Sequence, residues 1–223
     1  MGTPGADRGE GRGQPVPLWR LAKVEWTSLG ALEDAVNMLR AWSAALSDRS
    51  TGRVALVALV VFLLFGALVL PSQAAAAERA SAGAGSPDTS FFYRPDDLLR
   101  QAEAYGESGR AAYVRARWTF DLAFPLVYGF FLVTSIGWSV RQTPASGAWK
   151  LMTLVPVTAV LFDFLENTAT SVVMAAYPAV PDLAVVLAPW LTLVKWILVY
   201  ASFGLLAVAL AAVLLRRLRR PAK

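Results

Sequence analysis

Cysteine and histidine are both absent from this chain. Without cysteine, disulfide exchange, thiolate nucleophiles and thiolate-bound metals are excluded. Without histidine, the chain lacks the commonest general base, the commonest zinc ligand and the usual haem ligand. No Gly-rich phosphate loop follows a strand pattern, and no H-E-x-x-H, G-x-S-x-G or Walker sequence occurs. Neither a metal nor another cofactor is expected. Charge is also scarce, with Asp, Glu, Lys and Arg making up 17% of 223 residues.

Apolar residues fill the space. They make up 56% of the chain, against about 45–50% in soluble domains. Runs of roughly 18 or more apolar residues read as transmembrane helices. Four regions qualify, at about 54–75, 118–140, 151–176 and 183–215. The last exceeds one bilayer crossing and must tilt, kink at Pro189 or project beyond the membrane. The expected fold is an all-α integral membrane protein: a four-transmembrane-helix bundle over residues 51–223.

The net charge of +5 could suggest nucleic acid, but basic residues on cytoplasmic flanks explain it more simply, so no nucleic-acid partner is expected. Residues 1–53 carry seven Lys/Arg, 141–150 carry two and 216–223 carry five. The 177–182 turn carries none, and the 76–117 loop carries six matched by six acids. Basic residues on alternate flanks therefore put both termini in the cytoplasm and loop 76–117 outside, in a cell's inner or cytoplasmic membrane. Ala-rich, Arg-biased usage suggests a GC-rich bacterial source.

Outside the spans, residues 1–16 are Gly-rich, charged and aperiodic, which predicts a disordered cytoplasmic tail. Over 17–50, Leu29, Leu32, Val36, Leu39 and Leu46 recur at helical spacing beside Trp19, Trp26 and Trp42. That pattern predicts an amphipathic helix, either on the membrane surface or capping the bundle. AAAAERASAGAG after the first span has small residues like a leader-cleavage site, but it lies too far along the chain, so an uncleaved anchor is expected. Residues 80–90 read as a flexible linker. RPDDLLRQAEAYG predicts a short extracytoplasmic helix, with Pro and acids first and Gly last. Ser108 is expected to cap a helix that runs unbroken into the second span.

Polar residues inside the apolar runs mark a candidate site. Arg110, Tyr113, Arg117, Asp121, Pro125 and Tyr128 follow a three-or-four spacing and share one helix face. Asp163, Glu166, Asn167 and Thr170 do the same in the third span, and Thr192, Lys195, Trp196 and Tyr200 lie close together in the fourth. An ionised group at the bilayer centre costs about 2.5–3.5 kcal/mol, so three unpaired would cost roughly 8–10 kcal/mol. They must therefore meet inside the bundle, with Lys195 as counter-ion to Asp163 and Glu166, and Arg117 to Asp121. Prolines 125, 156 and 189 each free a backbone carbonyl one turn earlier, for neighbours to satisfy. Three acids oppose two cations, so one acid must be protonated, share a proton or bind a cation.

Four spans with inward acids and an amide are similar in architecture to the sterol-isomerase-like membrane domains. Their motif spacing is not reproduced here, so no residue role is carried over.

Three function classes follow. In the first, the bundle encloses a polar site near the bilayer midplane, formed by Asp121, Tyr128, Asn167, Lys195, Arg117 and Tyr200 with the two acids of the third span. It would bind a small molecule or lipid, or pass protons or ions. In the second, it is a lipid- or isoprenoid-modifying enzyme of acid-catalysed isomerase or cyclase type, with Asp163 or Glu166 as general acid. In the third, it is a structural or interaction protein with an inert polar core. No internal repeat supports a monomeric secondary transporter, which leaves a homo-oligomer as the route to a path. Membrane lipids are the expected surroundings in every case.

Overall fold

A computed structural model describes residues 18–81, 83–143 and 147–219, with side chains described from Gly30 onward except at 32, 147 and 148. The expected tail at 1–16 lies outside the described residues, as do the side chains of Trp19, Trp26, Leu29 and Leu32. Regular structure is helical, with no strand among the described residues. The chain divides within its first helix, α1 (Leu18–Arg49), into one unit up to Leu39 and a second from Arg40 onward. In the first unit Val36, Met38 and Leu39 are exposed.

The second unit holds the long helices. α2 (Gly52–Leu64) starts at Thr51, whose hydroxyl accepts from Val54 N at 3.3 Å. It continues through a π-helical turn, Phe65–Val69, into α3 (Leu70–Ser81). Pro71 has no N–H to offer, and the widened turn falls directly before it. After α4 (Pro95–Ala104) come α5 (Gly106–Arg117), α6 (Phe120–Arg141), the short α7 (Gly147–Lys150), α8 (Leu154–Ala176) and α9 (Asp182–Leu218). Four stretches are long and apolar enough to cross a membrane: Gly52–Ser81, Gly106–Arg141, Leu151–Ala176 and Asp182–Leu218. Each contains or matches a predicted span.

Three local expectations are corrected. Ser108 does not start α5, because Gly106 adopts φ +60° and turns the corner two residues earlier. The helix into the second span is interrupted at Trp118–Thr119, where the Thr119 hydroxyl bonds back to Arg115 O at 2.8 Å. Residues 80–90 are no free linker. α3 runs on to Ser81, and Pro87–Thr89 form a 3₁₀ turn that is tied to the bundle.

Two apolar layers hold these helices together. One gathers Tyr93, Leu98, Tyr105, Tyr113, Val173, Met174 and Val185. The other gathers Ala58, Tyr128, Leu132, Ile136, Ala159 and Leu206. Helices approach closely where a side chain is missing: a Cβ on Gly129 would sit 2.5 Å from Val160 Cγ2. At the 141–150 end, Arg141 donates to Asp48 O at 2.8 Å, and Gly137 lies against Ser47 and Ser50. Along α8, Ala159 belongs to one layer and Val173 to the other. The polar residues between them are therefore sandwiched.

Candidate functional site

α8 sets the site. Four-residue spacing turns Asp163, Glu166, Asn167 and Thr170 to one face, and all four are buried. Glu166 is fully enclosed, and its carboxylate pairs with Lys195 of α9. Its second oxygen accepts from Thr192 Oγ1 at 2.7 Å. The Tyr93 hydroxyl lies 3.2 Å from Thr192, and burial pushes it above the usual phenol range, so it stays protonated. Glu166 and Lys195 thus form the ion pair between α8 and α9, with Thr192 and Tyr93 as the acid's neutral neighbours. The sequence expectation that Lys195 faces both α8 acids is narrowed to Glu166.

Asp163 is held differently. Its carboxylate accepts from Tyr128 Oη at 3.0 Å and from Asn167 Nδ2 at 3.3 Å, with no cation in ion-pair contact among the described residues. Asn167 also donates to the backbone oxygen of Asp121 at 3.2 Å. That carbonyl is one turn before Pro125, whose ring nitrogen offers no hydrogen bond. The amide therefore satisfies the group that the proline orphans, and it links α6 to α8.

Arg117 forms the second charged centre. It contacts Asp121, one turn along, at 2.7 Å. It also contacts Asp88 at 2.7 Å and Ser86 Oγ at 3.0 Å, both from the segment between α3 and α4. Its guanidinium lies 4.4 Å over the Tyr113 ring. The same segment is tied by Trp196 Nε1 to Asp88 O at 3.1 Å and by Tyr105 Oη to Gly85 O at 2.8 Å. Burial opposes the charge on Asp88, yet the Arg117 guanidinium beside it holds its carboxyl well below the usual carboxylate range. One arginine thus serves two acids.

Between these centres lies a cavity of about 430 Å³. Asp88, Arg117, Asp121, Tyr128, Asp163 and Lys195 form its polar wall. Phe62, Phe120, Phe124, Trp196 and Phe203 form the aromatic one. Such a volume suits a small organic molecule, and few polar groups amid apolar walls is the ordinary make-up of a ligand pocket. Lys195 Nζ lies 5.0 Å from the Trp196 ring centroid.

The structure brings together Arg117, Asp121, Tyr128, Asp163, Asn167, Glu166 and Lys195, all named from sequence. Tyr200 stands apart: it is 59% exposed and stacks on Trp196 and Phe91. Five residues separate it from Lys195, which turns it about 140° around the helix. Arg110 bonds Ala102 O and lies over Tyr177, away from the cluster. Asp88 and Tyr93 were missed. Ser86-Pro87-Asp88 carries a turn signature, but nothing in it announces a partner 29 residues ahead. Among the described residues, no group of His, Cys, Asp and Glu is arranged to hold a metal ion. The chain matches no protein-family model, no curated protein and no solved structure.

Proposed function

We propose that this is a multi-pass membrane protein whose polar cavity binds a small amphipathic molecule. The observation that carries the reading is the cavity itself, lined by both charged and aromatic side chains, most of them from long apolar helices. Ionisable groups at such depth mark sites or pathways far more often than surface charges do. Orientation follows the basic residues. Arg141, Lys150 and Arg216 cluster at one end, where Arg216 donates to Gln142 O and Arg141 to Asp48 O. That end is cytoplasmic in this reading, and the 76–117 segment faces outward.

The reading predicts a co-purifying molecule. Protein extracted in native-lipid polymer discs should carry it by mass spectrometry, and Val199→Trp, which adds bulk to the cavity lining without replacing an ionisable group, should lose it. An identical molecular profile from the wild type and the filled variant would contradict the reading.

One observation favours a second reading, a lipid-modifying enzyme. Asp163 faces the cavity beside a hydroxyl donor, whereas Glu166 is enclosed behind Lys195 and Thr192. Asp163 is then the general acid, and Glu166 is the counter-ion of Lys195. A deletion strain would accumulate a lipid precursor that the wild type clears and Asp163→Asn does not.

A further inference from the structure

The polar wall has a sign. Among the described residues of the cluster, Asp88, Asp121, Asp163 and Glu166 face only two cations, Arg117 and Lys195. Arg117 is shared by Asp88 and Asp121, and Lys195 is taken by Glu166. Asp163 has only the neutral donors Tyr128 and Asn167. An anionic ligand would deepen the imbalance, since neither cation is without an acid. A bare divalent ion needs several carboxylate or carbonyl ligands, and no such cluster is arranged here among the described residues.

Ring faces attract positive charge through their quadrupoles. Phe62, Phe120, Phe124 and Phe203 line the same cavity as Asp163. A proton would neutralise the acid but leave the aromatic-walled volume without an occupant. We infer that the ligand is an organic cation with an apolar body, an amine or quaternary ammonium, whose charge pairs with Asp163 while its body lies against the phenylalanines. This rests on the reading of the cavity as a ligand site and adds the ligand's charge class.

The test uses two probes of one shape and opposite charge on the full chain in detergent: radiolabelled tetraphenylphosphonium and radiolabelled tetraphenylborate. Neutral Nile red reports the cavity independently of charge. The inference expects saturable binding of the phosphonium, at one per chain, that Val199→Trp abolishes, and no saturable binding of tetraphenylborate, which is measured in separate samples because the two ions pair in solution. Asp163→Asn should weaken it at least about tenfold, a difference of roughly 1.4 kcal/mol. Thr168→Val, which removes an exposed hydroxyl of α8 outside the cavity lining and no charge, should bind as wild type does, and so controls for a change on the same helix. Elution profile and helical circular dichroism should match wild type in each variant.

Equal phosphonium affinity in wild type and Asp163→Asn, or saturable tetraphenylborate binding that Val199→Trp abolishes, would overturn the cation assignment. Nile red binding blocked by Val199→Trp would in that case leave the cavity reading intact. Absence of any probe signal sensitive to Val199→Trp would overturn both.

Discussion

The two charged centres are built from the same parts and solve different problems. At Lys195, one cation meets one acid, the fully enclosed Glu166, whose shell Thr192 and Tyr93 complete. At Arg117, one cation meets two acids, and one of these comes from the segment after α3. The first centre joins two long helices, α8 and α9. The second fastens the 83–94 segment, whose Asp88 and Thr89 line the cavity. A buried charge tolerates loss of its partner poorly, so the first centre fixes packing and the second also fixes that segment. Among the described residues no cation is in ion-pair contact with Asp163, and that difference gives the cavity its sign.

Removing Arg117 should have the largest effect. Arg117→Met orphans Asp88 and Asp121 together, and breaking a buried pair costs about 3–5 kcal/mol in soluble proteins. Protonation of an orphaned acid offsets part of that. Thermal unfolding in detergent should drop clearly, and hydrogen exchange should rise across 83–94. Unchanged exchange there would show that Trp196 and Tyr105 alone hold the segment.

A smaller effect is expected from Asp88→Asn, about 1–2 kcal/mol, since Asp121 still serves Arg117 and an amide oxygen still accepts. The same carboxylate predicts an acid response. Its folded pKa lies below its unfolded one, so its contribution is fully present above the ordinary carboxylate range and is lost as pH falls below that range. Exchange protection of 83–94 should therefore hold from pH 7 to about pH 5 and weaken only in stronger acid. Loss of protection near pH 6 would assign the tether to another group.

The sequence carries the parts of this picture that depend on period. Asp163, Glu166 and Asn167 are readable as one face because a helix repeats every 3.6 residues. Arg117 and Asp121 are readable as a pair because they are four apart. The carbonyl freed by Pro125 is likewise legible, although nothing local says that Asn167 meets it. What depends on tertiary packing is not legible. Glu166 and Asp163 lie within one turn, and only the approach of α9 decides which receives Lys195. Asp88 reaches Arg117 across a segment rich in Ala, Gly and Ser, a composition that by itself predicts flexibility. Tyr200 shows the converse error, since nearness in sequence placed it in the site and helical phase turned it out.

The partition of the two α8 acids, Glu166 to Lys195 and Asp163 to the cavity, is tested most directly by a pair of double-mutant cycles. Lys195→Met would be combined with Glu166→Gln in one and with Asp163→Asn in the other, with unfolding followed in detergent or bilayers. Lys195→Met alone should destabilise, and Glu166→Gln should restore part of the loss, with a coupling of at least about 0.5–1 kcal/mol even at the weaker values typical of membranes. Asp163→Asn should add to Lys195→Met with little coupling. Strong coupling to Asp163 and additivity with Glu166 would contradict the account, because Lys195 would then compensate the acid that faces the cavity.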